Sequence, residues 1–261
     1  MKTALITGAS SGIGAEFARQ LAAKKRDLVL VARSQDKLNQ LAEQLQQQHS
    51  IRAHVISQDL TEPNAAASVA RQIEELGIVI DLLINNAGFG DYGSFSESLL
   101  ERQTSMIQLN ISVLVELTHA FLPAMIERQN GDIINVSSIA GFQPMPYWSV
   151  YAASKAFVLS FSEALWAEVK DKGVKVLALC PGPTESNFFK VANVSKNSEI
   201  SSNLNQLDSV TNVVKSALGA LESGQPNMVT GGLMTQMIAN IPRVLPRDVL
   251  VDLVEKQFRN A

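Results

Sequence analysis

Apolar positions along this chain come in short unbroken runs separated by longer mixed stretches. Runs such as Leu28-Val29-Leu30-Val31-Ala32 offer no polar residue on either side, which suits strands buried on both faces of a parallel sheet. The pattern predicts strands at Lys2–Thr7, Asp27–Ala32, Ala53–Ser57, Asp81–Asn85, Asp132–Ser137, Lys175–Leu179 and Asn227–Thr230. Helices are expected between them, at Gly12–Lys24, Gln35–Gln48, Asn64–Leu76, Ser98–Arg128, Tyr151–Asp171 and Asp208–Glu222. Repeated βα units of this kind build an α/β fold, a doubly wound parallel sheet of about seven strands with helices on both faces. No Pro/Gly/Ser-rich linker divides residues 1–261, so one domain is expected.

The first strand runs straight into Gly8-Ala9-Ser10-Ser11-Gly12-Ile13-Gly14 and then into a helix. Strand, glycine turn and helix in that order form a Rossmann-like dinucleotide-binding unit. Gly8 allows the tight turn, Gly12 lets backbone approach a pyrophosphate, and Gly14 permits close helix–strand packing. The helix start then offers free N–H groups and positive dipole to phosphate. A Walker-type phosphate loop is excluded, because no Gly-Lys-Ser/Thr follows.

A second motif lies far along the chain. Tyr151 and Lys155 are spaced i, i+4 in Ser-Val-Tyr-Ala-Ala-Ser-Lys and share one helix face, with Ser138 thirteen residues before the tyrosine. A free phenol, with a pKa near ~10, is a poor acid or base at neutral pH, and an ammonium beside it is expected to lower that value. A seryl hydroxyl from another element would hold a substrate oxygen against the phenol. The spacing therefore points to proton transfer.

Composition narrows the partners. Net charge is −3 from 22 basic and 25 acidic residues, which argues against nucleic acid. Cys180 is the one cysteine, which rules out an intrachain disulfide and fits a reducing, cytoplasmic setting. The glycine turn begins at residue 8 and leaves no room for a signal peptide. No run of about 18 apolar residues is seen, so no transmembrane helix is expected. No metal site is expected.

Taken together, these residues resemble the short-chain dehydrogenase/reductase family in its compact form. Thr7 to Gly14 resembles that family's cofactor loop, and Asn85-Asn86-Ala87-Gly88 its signature after the fourth strand. Asn110, Ser138, Tyr151 and Lys155 match its catalytic tetrad in type and order. The resemblance implies Tyr151 as general acid in carbonyl reduction and base in alcohol oxidation. It implies that Lys155 lowers the tyrosine pKa and binds the nicotinamide ribose, and that Ser138 fixes the substrate oxygen. Asn110 would open a helix and hold a water leading to Lys155. Pro181-Gly182 matches the turn after the sixth strand. Ser186 takes the slot where a threonine usually meets the nicotinamide amide, and Thr184 is included in the same cofactor wall.

Cofactor choice turns on the end of the second strand. Ala32 stands where an NAD enzyme of this class usually places an aspartate, and Arg33 follows it. Without that carboxylate a 2′-phosphate meets no repulsion, and a guanidinium can grip it, so NADP(H) is expected over NAD(H). Stacking of Arg33 on adenine is the alternative. Asp59 and Leu60 match positions that usually meet the adenine, and Asp59 also suits a cap before Thr61-Glu62-Pro63.

Phe89, Tyr92, Met145, Tyr147, Trp148, Phe188 and Phe189 are expected to rim the substrate pocket, favouring a hydrophobic ketone, aldehyde or secondary alcohol. A lid is expected around residues 183–207. The apolar carboxyl-terminal segment 228–258 holds Leu233 to Ile241 and an amphipathic stretch, Arg247 to Phe258. It reads as a cover for a lipophilic substrate, a weak membrane contact, or packing on its own domain or a neighbouring subunit. A homodimer or homotetramer is expected. An NADP-binding redox sensor without turnover is the alternative function, and a Rossmann-like methyltransferase is disfavoured by Ala32.

Overall fold

The computed structural model describes residues 2–186, 188–192 and 207–259. Its centre is a seven-stranded parallel sheet in the order β3-β2-β1-β4-β5-β6-β7. The strands are β1 (Thr3–Thr7), β2 (Asp27–Ala32), β3 (Ala53–Ser57), β4 (Leu82–Asn85), β5 (Gly131–Val136), β6 (Val174–Pro181) and β7 (Asn227–Thr230). This is the doubly wound Rossmann-like sheet expected from the sequence. The chain reverses direction across the sheet between β1 and β4, so the carboxyl ends of those strands open a crevice.

Side-chain alternation within the central strands explains their apolar runs. Leu28 and Leu30 of β2 enter one core while Val29 and Val31 enter the other, and all four are fully buried. Ala4 and Ile6 of β1 divide from Leu5 in the same way. A strand covered on both faces has no position at which a polar residue meets water.

One face is covered by α1 (Gly12–Ala23), α2 (Gln35–His49) and α8 (Val210–Glu222). The other is covered by α3 (Ala65–Glu75), α5 (Val113–Glu127) and α6 (Ser149–Val169). Before α5 runs α4 (Leu100–Ile107), and the two are joined by a π-helical turn, Gln108–Ser112. The stretch expected as one helix over Ser98–Arg128 is therefore two helices around a bulge. Contrary to the sequence expectation, the helical run Leu100–Glu127 is long and apolar enough, by length and composition, to cross a membrane. In the fold its apolar residues Val113, Leu117 and Met125 cover the sheet.

Three further helices lie near the carboxyl ends of the last strands: α7 (Phe188–Val191), α9 (Leu233–Asn240) and α10 (Arg247–Phe258). Leu250 and Val254 anchor α10 by burial, while Val249 and Leu253 face outward. Most of the segment expected to form a lid lies outside the described residues.

Candidate active site

A cleft of about 1400 Å³ opens along the carboxyl ends of the strands. At one end Gly8, Ser10, Ser11, Gly12 and Ile13 form its wall, and Gly14 stands behind them. Gly8 has φ +66°, and a Cβ there would lie 2.8 Å from Asn86 Nδ2. A Cβ on Gly14 would collide with the Gly8 carbonyl oxygen, so the turn closes only with glycine at both places. Asn86 fastens the turn from the other side, donating through Nδ2 to the Thr7 carbonyl at 2.8 Å. The Thr7 hydroxyl accepts from the amides of Asn86 and Ala87, both at 3.0 Å, and donates to the Ile84 carbonyl. Thr7, expected only as the first residue of the cofactor loop, thus serves as its clamp to the loop after β4.

The amino end of α1 meets this cleft with no side-chain cap from Ser11. Its first N–H groups therefore have no helical partner and suit an anion. Asn86, Ala87 and Gly88 continue the wall, and Pro181, Gly182, Thr184 and Ser186 face them. Ser186 lies across from the turn, so a Cβ on Gly12 would meet its Cβ at 3.6 Å.

Arg33, Asp59 and Leu60 border the same end. Arg33 keeps three quarters of its side chain exposed (75%) and lies 3.7 Å from Asp59 Oδ2. Asp59 does a second job: its Oδ1 accepts from the Thr61 amide at 2.9 Å and the Thr61 hydroxyl at 2.7 Å. Burial pushes the Asp59 carboxyl up, but the Thr61 donors and Arg33 overcome it and hold it below the usual carboxylate range. Ser34, Gln58 and Thr61 also line this end and were not anticipated.

At the other end Ser138, Tyr151 and Lys155 share one wall. Ser138 caps a 3-10 turn, Ile139–Phe142, accepting from the Ala140 amide at 3.1 Å. Tyr151 lies in the first turn of α6 and is 9% exposed. Lys155 is 6% exposed, and its Nζ donates to the Val136 carbonyl at 2.8 Å and stands 5.8 Å from the Tyr151 ring. Burial pushes the Tyr151 phenol up to about 12, with the Ser138 hydroxyl pulling the other way. Burial pushes Lys155 down to about 8. In this geometry burial outweighs any pull of the lysine on the tyrosine, because both groups lose hydration and the Lys155 ammonium donates to the Val136 carbonyl while standing 5.8 Å from the ring.

Asn110 does not line the cleft. It sits in the π-helical turn, 1% exposed, and braces the cleft from behind. Its Oδ1 accepts from the Phe89 amide at 3.1 Å, and its Nδ2 donates to the Phe89 carbonyl and the Ser154 hydroxyl, each at 3.0 Å. Ser154 in turn donates to the Tyr151 carbonyl at 2.7 Å. Ser137 donates to the Lys155 carbonyl at 2.7 Å. Ser154 and Ser137 were missed, though each directly neighbours a recognised site residue.

Aromatic rings pack over Tyr151. Trp148 lies 5.6 Å and Phe188 5.2 Å from its ring, and the two stack 6.2 Å apart. A Cβ on Gly90 would meet Phe188, Trp148 and Tyr151 at 2.8, 2.9 and 3.3 Å, so glycine there lets the rings converge. Phe89, Met145, Phe188 and Phe189 line the cleft as expected, whereas Tyr92 and Tyr147 stand behind it. Leu233, Met234 and Ile238 of α9 border the rim, whereas Met237 does not and is 61% exposed.

A long cleft with an anion-ready glycine turn at one end and a buried tyrosine–lysine pair at the other fits a dinucleotide. The chain belongs to the short chain dehydrogenase family, whose pattern matches residues 2–197. Such enzymes are oxidoreductases of carbonyl and alcohol groups that work with a nicotinamide cofactor. The chain is similar to the very-long-chain 3-oxoacyl-CoA reductase of Anas platyrhynchos, at 33% identity over 97% of this chain and 78% of that protein. Among solved structures it resembles a short-chain dehydrogenase from Sphingobium yanoikuyae in complex with NADPH, 30% identical with a TM-score of 0.82 over 100% of this chain and 96% of the other. It also resembles the bulky-bulky ketone specific alcohol dehydrogenase of Comamonas testosteroni, 29% identical with a TM-score of 0.77 over 98% and 92% of the two chains.

Proposed function

We propose that this protein is an NADP(H)-preferring reductase of bulky, apolar, neutral ketones or aldehydes, with Tyr151 as the proton donor. The observation that carries this reading is that Ser138, Tyr151 and Lys155 border the same cleft as the glycine turn and Arg33. The cofactor, when bound, supplies the hydride. Gly8 to Ile13, Asn86 to Gly88 and Pro181 to Ser186 would hold it, with Asp59 and Leu60 at the adenine.

Ser138 orients the carbonyl oxygen by donating to it, and this bond strengthens as negative charge develops there. Tyr151 then gives its phenolic proton to that oxygen. Burial favours the protonated phenol, so the acid is loaded across the neutral range. The Lys155 ammonium steadies the phenolate left behind. In alcohol oxidation the same groups run in reverse. Arg33 would grip a 2′-phosphate, and the absence of an acid at Ala32 removes the group that would repel it.

Substrate class follows from the walls. Phe89, Met145, Trp148, Phe188 and Phe189 give an apolar surface. Arg102, a cation at this end, is committed to Asp91 at 2.5 Å and to the Val191 carbonyl, with its guanidinium over Phe89. It is therefore a poor seat for an anionic substrate tail. The test is a carbonyl panel of aryl and cyclic ketones, long and short 2-alkanones, sugars and a 3-oxoacyl-CoA, each with NADPH and NADH. Bulky neutral ketones turned over preferentially with NADPH are expected. Preference for the sugar or the CoA ester would overturn the substrate assignment, and cofactor binding without any turnover would favour the sensor reading.

A further inference from the structure

Phe258 lies at the far end of the chain from the glycine turn, yet it reaches the cleft beside Gln257. Its ring packs against the cluster that holds Tyr151, Trp148 and Met106. Its carbonyl accepts from the Tyr92 hydroxyl at 2.7 Å. Three residues earlier, Glu255 accepts from the Tyr147 hydroxyl at 3.4 Å and pairs with Arg259 at 2.5 Å. Tyr92 and Tyr147 are ring neighbours 6.3 Å apart, and Tyr92 also packs on Trp148 at 5.5 Å. The end of α10 is thus tied by two phenols to the loop after β4 and to the turn that leads into α6.

Backbone strain marks the same place. Tyr147 adopts φ +65°, a left-handed conformation that a bulky side chain rarely takes. That turn sets its hydroxyl toward α10 while Trp148 and Tyr151 face the site. Unusual backbone of this kind persists only where neighbouring contacts over-determine it.

We propose that Phe258 is a specificity-determining residue: it closes the substrate end of the cleft and limits how far a carbonyl substrate extends beyond Tyr151. The proposal rests on the reductase reading above and adds the wall that sets substrate length. A long apolar chain must displace or bend around the Phe258 ring, whereas a compact bulky ketone fits between it and Trp148. Because α10 is anchored by the buried Leu250 and Val254, shortening the Phe258 side chain leaves the helix its main packing.

The test is the ratio of kcat/KM for a long 2-alkanone to that for a short one, measured with NADPH on the full-length protein. Phe258→Ala should raise this ratio about tenfold, roughly the effect of the apolar area one ring covers. Phe258→Trp should lower it, and Tyr92→Phe, which keeps the ring but frees the Phe258 carbonyl, should raise it by a smaller factor. An unchanged ratio in folded Phe258→Ala overturns the proposal while leaving the reductase reading intact. Should Phe258→Ala fail to fold, a Phe258→Trp protein with the native ratio overturns it equally. A native protein that reduces no carbonyl at all overturns both.

Discussion

Asn110 and Ser154 meet across two helices. The Asn110 amide donates to the Ser154 hydroxyl at 3.0 Å, and that hydroxyl donates onward to the Tyr151 carbonyl at 2.7 Å. The other contacts of the Asn110 amide clamp both backbone groups of Phe89. One side chain in a π-helical turn therefore joins the loop after β4 to the helix that carries the tyrosine.

Asn110→Ala should unpair buried groups on Phe89 and Ser154. Three hydrogen bonds are lost, two of them part-buried; at about 1 kcal/mol each, a stability loss of roughly 3 kcal/mol is expected by denaturant titration. Ser154→Ala is milder, about 1 kcal/mol, but it releases the Tyr151 turn. Its kcat should fall roughly tenfold while NADPH affinity holds. A Ser154→Ala protein with native kcat would limit Ser154 to packing.

Discrimination between the two nicotinamide cofactors should move with Arg33. Losing a charge-assisted contact costs about 1.5–3 kcal/mol, but this guanidinium is largely exposed and screened, so about 1–2 kcal/mol is expected for Arg33→Ala with NADPH. NADH should change little. Asp59→Asn keeps the acceptor for Thr61 but removes the charge beside Arg33, and should tighten NADPH. Equal losses for both cofactors in Arg33→Ala, read from fluorescence titration, would indicate adenine stacking.

Carbonyl reduction should decline as pH rises through about 8, where Lys155 loses its proton, although Tyr151 stays protonated to about 12. The reverse oxidation should rise over the same range. Stability carries the same signature. Lys155 drops from 10.5 to about 8 on folding, so between about 8 and 9 its contribution makes stability increase with pH, and above 9 the buried Cys180 thiol, pushed up to about 12, opposes it. Lys155→Met should remove that slope. A reduction rate that stays flat well beyond pH 8 would exclude control by Lys155.

The sheet was legible because its central strands β1, β2 and β4 are largely apolar and buried on both faces, and the glycine turn because its spacing is local. Of the anticipated catalytic and cofactor-contacting residues, all but Gly14 and Asn110 line the cleft; of the residues expected to rim the substrate pocket, Tyr92 and Tyr147 do not. What could not be read depends on distant contacts. Tyr92 and Phe258 are 166 positions apart, and nothing in either neighbourhood signals the pairing. The behaviour of Lys155 is of the same kind: spacing put it beside Tyr151, but burial dominates its charge and the Val136 carbonyl takes its hydrogen bond. Within the apolar stretch Leu233 to Ile241, only the direction of α9 shows that Met234 borders the cleft and Met237 does not.

Met234 and Met237 therefore separate cleanly. Met234→Ser should raise KM for bulky ketones about fivefold, a fraction of the roughly 1.5–3 kcal/mol of a fully buried side chain, because Met234 is itself 67% exposed. Met237→Ser should leave KM unaltered. The opposite ranking would mean that α9 turns its other face to the substrate.

Removal of one oxygen atom, Tyr151→Phe, tests the proton donor. The ring keeps its packing against Trp148 and Phe188, so the fold and NADPH affinity should stay within a few-fold of native. Turnover of a bulky ketone with NADPH should fall by about 10²–10⁴-fold or more, the usual worth of a positioned acid. A Tyr151→Phe protein that binds NADPH and still reduces the ketone at close to the native rate would contradict the assignment of Tyr151 as the acid.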